Sequence, residues 1–197
     1  MPQIRGNVAS NILLEKLPDT LNVGGAEYMI DTDFRTAIRF TLLMQDKRAN
    51  QLMRLDLVLK MFYIDAIPED LIAAVYAILD FYGGAKTAKE SEHSTQKRVF
   101  DFDVDADLIY AAFLSQYGID LLDIDYMHWW KFKALFAGLS EDTEIMKVIG
   151  YRSIKITNDM SSEQKKRYRK LKSLYALPDN RTEEEKEQVF AANLLRL

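Results

Sequence analysis

The sequence predicts a mainly α fold, a compact multi-helix domain with one small N-terminal β-hairpin. Most segments after Ile30 carry apolar residues at helical spacing, and several of them start with capping residues and end in glycine or proline. A Gly-Gly pair between short alternating runs is the one convincing strand signal. The chain has 197 residues, of which 48% are hydrophobic and 28% charged. This composition is typical of a globular domain that can bury roughly 70% of its unfolded surface.

The N-terminal half is predicted to hold the hairpin and three helices. Gly24-Gly25 turns the hairpin, because glycine supplies the positive φ angles of a two-residue turn. The run 31–33 offers caps for a helix to about residue 46, a second helix covers 51–63, and Pro68 opens a third that ends at Gly83-Gly84. The third helix should bury a stripe, which consists of Leu71, Val75, Ile78, Leu79 and Tyr82.

The C-terminal half is predicted to hold five more helices. They cover 105–117, 123–137, a short segment from the caps at 140–144 to Gly150, about 161–175, and a final segment that starts at the capping box 182–185. Four parts follow: a hairpin and helices in 1–84, an exposed polar loop in 85–98, a C-terminal helical core in 99–180, and an amphipathic terminal helix in 181–197.

Composition also bears on function. The net charge is −4, which disfavours nucleic acid as the main partner, and the chain has no cysteine, which excludes disulfides and thiol catalysis. The longest uncharged apolar run has nine residues, 71–79, whereas a membrane span needs about 20. No signal-peptide pattern opens the sequence. We therefore expect a soluble protein that is made and used inside a cell, without a membrane partner.

Two candidate metal sites have simpler structural interpretations. Aspartates alternate over 101–107 as in a calcium loop, but Ala106 and Ala112 replace the required glycine and glutamate. We expect Asp103 or Asp105 to cap the next helix while Phe100, Phe102 and Val104 pack inward. His128 lacks further ligands, so we expect Asp125 to orient it within an aromatic core. No metal, cofactor or catalytic motif is predicted, and we expect a protein that is not an enzyme.

Two helices are the candidate partner-binding elements. Residues 161–173 carry six basic residues and one acid, whereas 100–125 carries seven acids and no base, so complementary contacts within the fold or between copies are expected. A phosphate-binding helix is the alternative. The final helix either docks on its own core or binds a partner. The residues chosen as partner-binding are Arg167, Arg169, Lys170, Phe190, Leu194 and Leu197.

Several motifs resemble the bacteriophage family called Gp-fifteen. They are DADLIYAAF at 105–113, QYGIDL at 116–121, HWWKF at 128–132 and IGYR at 149–152. DTDFR at 31–35 and YRKLK at 168–172, ahead of LPD at 177–179, are similar as well. The resemblance spans about residues 17–180, and the HWWKF block after YGID is its most specific part.

The resemblance implies a non-enzymatic tail assembly chaperone. Members of that family are encoded near the genes of the major tail protein and the tape measure protein. This gene position implies that the partner is the tape measure protein. The major tail protein and a second copy of the chain are further possible partners. Two alternatives stay open: a structural component of the phage tail, and a nucleic-acid-binding regulator that uses the basic helix 161–175.

Overall fold

The computed structural model describes residues 12–83 and 98–178 and confirms the mainly α fold with its N-terminal hairpin. Within these ranges a two-stranded antiparallel sheet precedes seven helices. The elements are β1 (Thr20–Val23), β2 (Ala26–Met29), α1 (Phe34–Gln45), α2 (Gln51–Phe62), α3 (Leu71–Gly83), α4 (Ala106–Tyr117), α5 (Trp129–Ala137), α6 (Glu144–Ser153) and α7 (Ser162–Leu174).

The hairpin turns at Gly24 and Gly25, as predicted. Their φ angles are +62° and +89°, a region that glycine enters without a steric penalty. Thr20 pairs with Met29 and Val23 with Ala26. Side chains alternate between the two faces of β1, so Leu21 and Val23 point inward and are buried where the strand packs on α3.

The core of the described residues centres on α5 and draws side chains from both halves of the chain. The Phe132 ring stacks between the rings of Phe34 and Phe113, with centroid distances of 4.9 Å on each side. The indole N–H groups of Trp129 and Trp130 donate to carbonyls at the end of α3, at 2.9 and 2.8 Å. Helix α5 therefore contacts both halves of the chain.

The predicted start of α5 at residue 123 is wrong, because the helix begins at Trp129. Side chains at the start of α1 bind the backbone before Trp129 and hold it in a non-helical conformation. Arg35 donates to the carbonyls of Leu121 and Ile124, at 3.0 and 2.7 Å. The Asp33 carboxylate caps α1 and also accepts the N–H of Met127, at 3.1 Å.

Two other helix boundaries differ from the sequence prediction. α3 begins at Leu71 rather than at Pro68, since the Asp70 carboxylate accepts the N–H of Ala73 at 3.0 Å and caps the helix there. α6 continues past Gly150 to Ser153, because the N–H of Ile154 still donates to the Gly150 carbonyl. No helix in the ranges 12–83 and 98–178 is long and apolar enough to cross a membrane.

Candidate partner-binding surfaces

Helix α7 carries the basic run, and both of its predicted ends are confirmed. Ser161 is its N-cap and forms a capping box with Gln164, in which each side chain accepts the N–H of the other residue. The helix ends at Leu174, shortly before Leu177-Pro178. Strong caps matter here because α7 contains no fully buried residue that could hold it by packing.

α7 is fastened to α6 by one edge. Lys172 donates to the carbonyls of Arg152 and Ile154 at the end of α6, at 2.9 and 2.6 Å. The Tyr175 ring stacks on Tyr151 with a centroid distance of 5.6 Å. Tyr168, Leu171 and Tyr175 recur at helical spacing and are half-buried. The opposite side of the helix is left to solvent.

The predicted partner-binding residues Arg167, Arg169 and Lys170 all lie on that exposed side. Neither these three nor Lys166 forms a salt bridge within the described ranges. The expected pairing of this helix with the acidic segment 100–125 of the same chain is therefore absent from the part of the fold that the structure describes. The reason is spatial: α6 packs between α4 and α7.

The remaining predicted partner-binding residues are Phe190, Leu194 and Leu197. They lie outside the described residues, as do the exposed loop 85–97 and the capping box at 182–185. Their assignment stays a prediction.

A second candidate surface is the outer face of α3, which sequence reasoning missed. Ile72, Tyr76 and Leu79 recur at helical spacing and are 72%, 65% and 42% exposed. We call these three residues the α3 apolar face. The predicted inward stripe of this helix is partly wrong, since Leu71 and Leu79 are exposed while Ala74, Ile78 and Phe81 form the buried side.

The packing of α3 explains why periodicity failed there. The helix is apolar on nearly all sides, so its sequence does not distinguish the inner face from the outer one. The inner face is selected by aromatic partners: Tyr63 donates to the Ala74 carbonyl at 3.0 Å, and the Phe81 ring packs against Phe62 and Trp130. The surplus of apolar residues on this helix was the available signal for an additional exposed face.

The acidic run 101–107 has a structural role. Asp105 occupies the N-cap position of α4, but its carboxylate forms a buried salt bridge with Arg152, at 2.6 Å, instead of a capping bond. The Asp101 carboxylate accepts the N–H groups of Asp103 and Val104. This turn directs Val104 outward, where it is 51% exposed, so its predicted inward packing is wrong, whereas Phe102 is buried as predicted.

His128 lies in the aromatic core as predicted, but Asp125 does not orient it. The Nδ1 atom accepts the N–H of Trp130 at 3.0 Å, which makes His128 the N-cap of α5. Because Nδ1 is an acceptor, the proton belongs on Nε2, which donates to the Pro18 carbonyl at 3.0 Å. Burial lowers the pKa of His128, so the neutral form is favoured in the folded protein.

A cleft of about 470 Å³ lies between the end of α1 and the turn before α4. Two of its three carboxylates pair with arginines: Asp46 pairs with Arg48 at 2.8 Å, and Asp101 with Arg98 at 2.8 Å. Hydrogen bonds from Arg48 lower the pKa of Asp46 to about 2. Across 12–83 and 98–178, no group of three or more potential ligands is placed to hold a metal ion.

These features define a small, mainly α protein with one cationic and one apolar helix face that are suited to macromolecular contacts. The sequence model of the bacteriophage Gp15 protein matches residues 13–177. The chain therefore belongs to this bacteriophage family, the Gp-fifteen family that its motifs resemble. The membership indicates a phage structural or assembly protein. No curated protein and no solved structure matches the chain.

Proposed function

We propose that the protein is a tail assembly chaperone, which binds the tape measure protein in the host cytoplasm and catalyses no reaction. Family membership supports a role in phage structure or assembly. The observation that carries the finer proposal is the α3 apolar face, because a binding protein needs an apolar surface, and the described part of this fold leaves that face exposed.

The α3 apolar face suits a helical client. Its residues at i, i+4 and i+7 form a stripe that an amphipathic helix can cover. Burying the exposed fractions of these three side chains contributes about 3–5 kcal/mol before the costs of association are subtracted. The segment 84–97, which follows α3 directly, contains no apolar residue larger than alanine and offers little to cover the stripe.

The test is a binding measurement on the co-expressed and purified tape measure protein. The variant Ile72→Glu/Tyr76→Glu should lose at least tenfold in affinity, since two carboxylates would have to be buried in the interface. The matched control is Leu52→Glu, a change at an 80% exposed leucine near the start of α2, which should bind as the wild type does. Equal affinity of all three proteins would contradict the proposed site.

The final segment needs its own test. We expect truncation after Asn180 to leave a folded protein with weakened binding of the tape measure protein. If the truncated form binds as tightly as the full chain and unfolds at the same denaturant concentration, Phe190, Leu194 and Leu197 are not part of the docking element.

The exposed cations of α7 favour one alternative, a nucleic-acid-binding regulator. Phosphate binding by Arg167, Arg169 and Lys170 would weaken steeply as salt rises. Fluorescence anisotropy with random duplex DNA and single-stranded RNA at 50 mM salt separates the two functions. The chaperone proposal predicts no binding under these conditions, whereas salt-sensitive binding that Arg167→Glu abolishes would support the regulator.

A further inference from the structure

One chain carries two exposed faces of opposite charge that its own fold keeps apart. We propose that copies of the protein associate head to tail, with helix α7 of one copy on an acidic surface of the next. The inference concerns the protein by itself and does not depend on the identity of a client.

The first surface, the cationic face, consists of Lys166, Arg167, Lys170 and Leu174. All four lie on the side of α7 opposite the edge that contacts α6, and all four are exposed. Leu174 is 68% exposed and lies one turn beyond Lys170. The face therefore combines positive charges that form no salt bridge in the described ranges with one exposed apolar side chain.

The second surface, the acidic face, lies on α4 and the loop that follows. It comprises Asp107, Asp120 and Asp123 together with Leu114 and Leu122. The Tyr110 hydroxyl donates to the Asp120 carboxylate at 3.1 Å, which fastens the loop to α4. Desolvation raises the pKa of the Tyr110 hydroxyl, and the neighbouring carboxylates of Asp120 and Asp123 raise it further. Leu122 is 83% exposed.

Within the described residues of one chain, the cationic face and the acidic face do not pair with each other. α6 contacts α4 on one side and α7 on the other, and no salt bridge in the described ranges joins the two faces. The charges are nevertheless matched, since the cationic face carries three basic residues and the acidic face carries three aspartates. Complementary faces at separate places on one surface are what a heterologous contact between copies requires.

Both faces also carry an exposed leucine beside the charges, Leu174 on one and Leu122 on the other. Charge alone would give a weak contact that salt screens completely. Burial of the leucines would add an apolar contribution that salt leaves intact. The association is therefore expected to weaken with salt and to depend on the two leucines as well.

The experiment is analytical ultracentrifugation of the full-length, nuclease-treated protein at 50 and 500 mM NaCl. At low salt the average mass should rise with protein concentration to at least twice that of the 22.8 kDa chain, and it should fall toward the monomer at high salt. A monomer at every concentration in low salt would overturn the proposal. That result is also expected if the acidic residues 183–187 of the same chain cover α7.

Charge reversal supplies the matched controls. Arg167→Glu/Lys170→Glu makes both faces negative, and Asp107→Lys/Asp123→Lys makes both positive, so each variant alone should be monomeric at low salt. A mixture of the two again pairs opposite faces and should restore the larger mass. Failure of the mixture to associate, with both variants unfolding at the wild-type denaturant concentration, would overturn the inference. Binding of the tape measure protein is a separate measurement, so failure of one proposal is distinguishable from failure of the other.

Discussion

Replacing Arg152 by methionine is expected to destabilise the protein more than any change at an exposed ion pair. The Arg152 side chain is 8% exposed, and its guanidinium donates to both oxygens of Asp105, at 2.6 and 2.9 Å. It also donates to the carbonyls of Val99 and Tyr175. One side chain therefore joins α6 to the start of α4, to the segment that precedes α4 and to the end of α7.

The expected loss in the free energy of unfolding follows from the state of the Asp105 carboxylate once Arg152 is replaced. The Asp105 carboxylate is 3% exposed and would keep only the N–H of Asp101 as a hydrogen-bond partner among the contacts in this cluster. Removing one partner of a buried pair costs about 3–5 kcal/mol, mainly because the other charge stays buried. Native domains are stable by about 5–15 kcal/mol, so the loss is a large fraction of the total.

Urea unfolding followed by circular dichroism measures this loss. The matched control is Lys147→Met, which breaks the exposed 2.8 Å pair with Glu144 and should change the free energy of unfolding by less than about 0.5 kcal/mol. The double variant Asp105→Asn/Arg152→Met removes the orphaned charge, so it should be more stable than Arg152→Met alone. A loss below about 1 kcal/mol for Arg152→Met would refute the reasoning.

Three further predictions test other parts of the fold. Burial lowers the pKa of His128, so the unfolded chain binds more protons than the folded protein as the pH falls through about 6.5. The free energy of unfolding in urea should therefore decrease when the pH is lowered from 7.5 to 5.5. The variant His128→Asn keeps a capping acceptor and should remove that pH dependence. Ile78→Ala on the buried side of α3 should cost about 2–5 kcal/mol in urea unfolding, whereas Ile72→Ala on its outer face should cost less than about 0.5. Lys172→Met should speed amide exchange in α7 while leaving α1–α5 unchanged, and uniform protection would contradict the one-edge attachment.

The hairpin and the seven helices found in residues 12–83 and 98–178 could be predicted because local signals decide them. Gly24-Gly25 dictates the turn, and capping residues such as Asp33 and Ser161 mark helix starts through bonds to nearby N–H groups. These interactions span only a few residues, so a sequence pattern records them. The cationic side of α7 was predictable for the same reason, since helical spacing alone separates it from Tyr168 and Leu171.

The errors lie where distant residues decide the outcome. The non-helical backbone before α5 depends on Arg35 and Asp33, which lie about ninety positions earlier in the chain. The inner face of α3 depends on aromatic rings from α2 and α5, and the orientation of His128 depends on Pro18. No local pattern encodes such partners, so the α3 apolar face became visible only in three dimensions.

The most direct test of the central claim is quantitative mass spectrometry of two samples from one infection. A chaperone that holds the tape measure protein and then leaves should co-purify with that protein from cells in which tails are assembling, and it should be absent from purified virions. Stoichiometric amounts of the chain in purified virions would contradict the claim and identify a structural component of the tail instead.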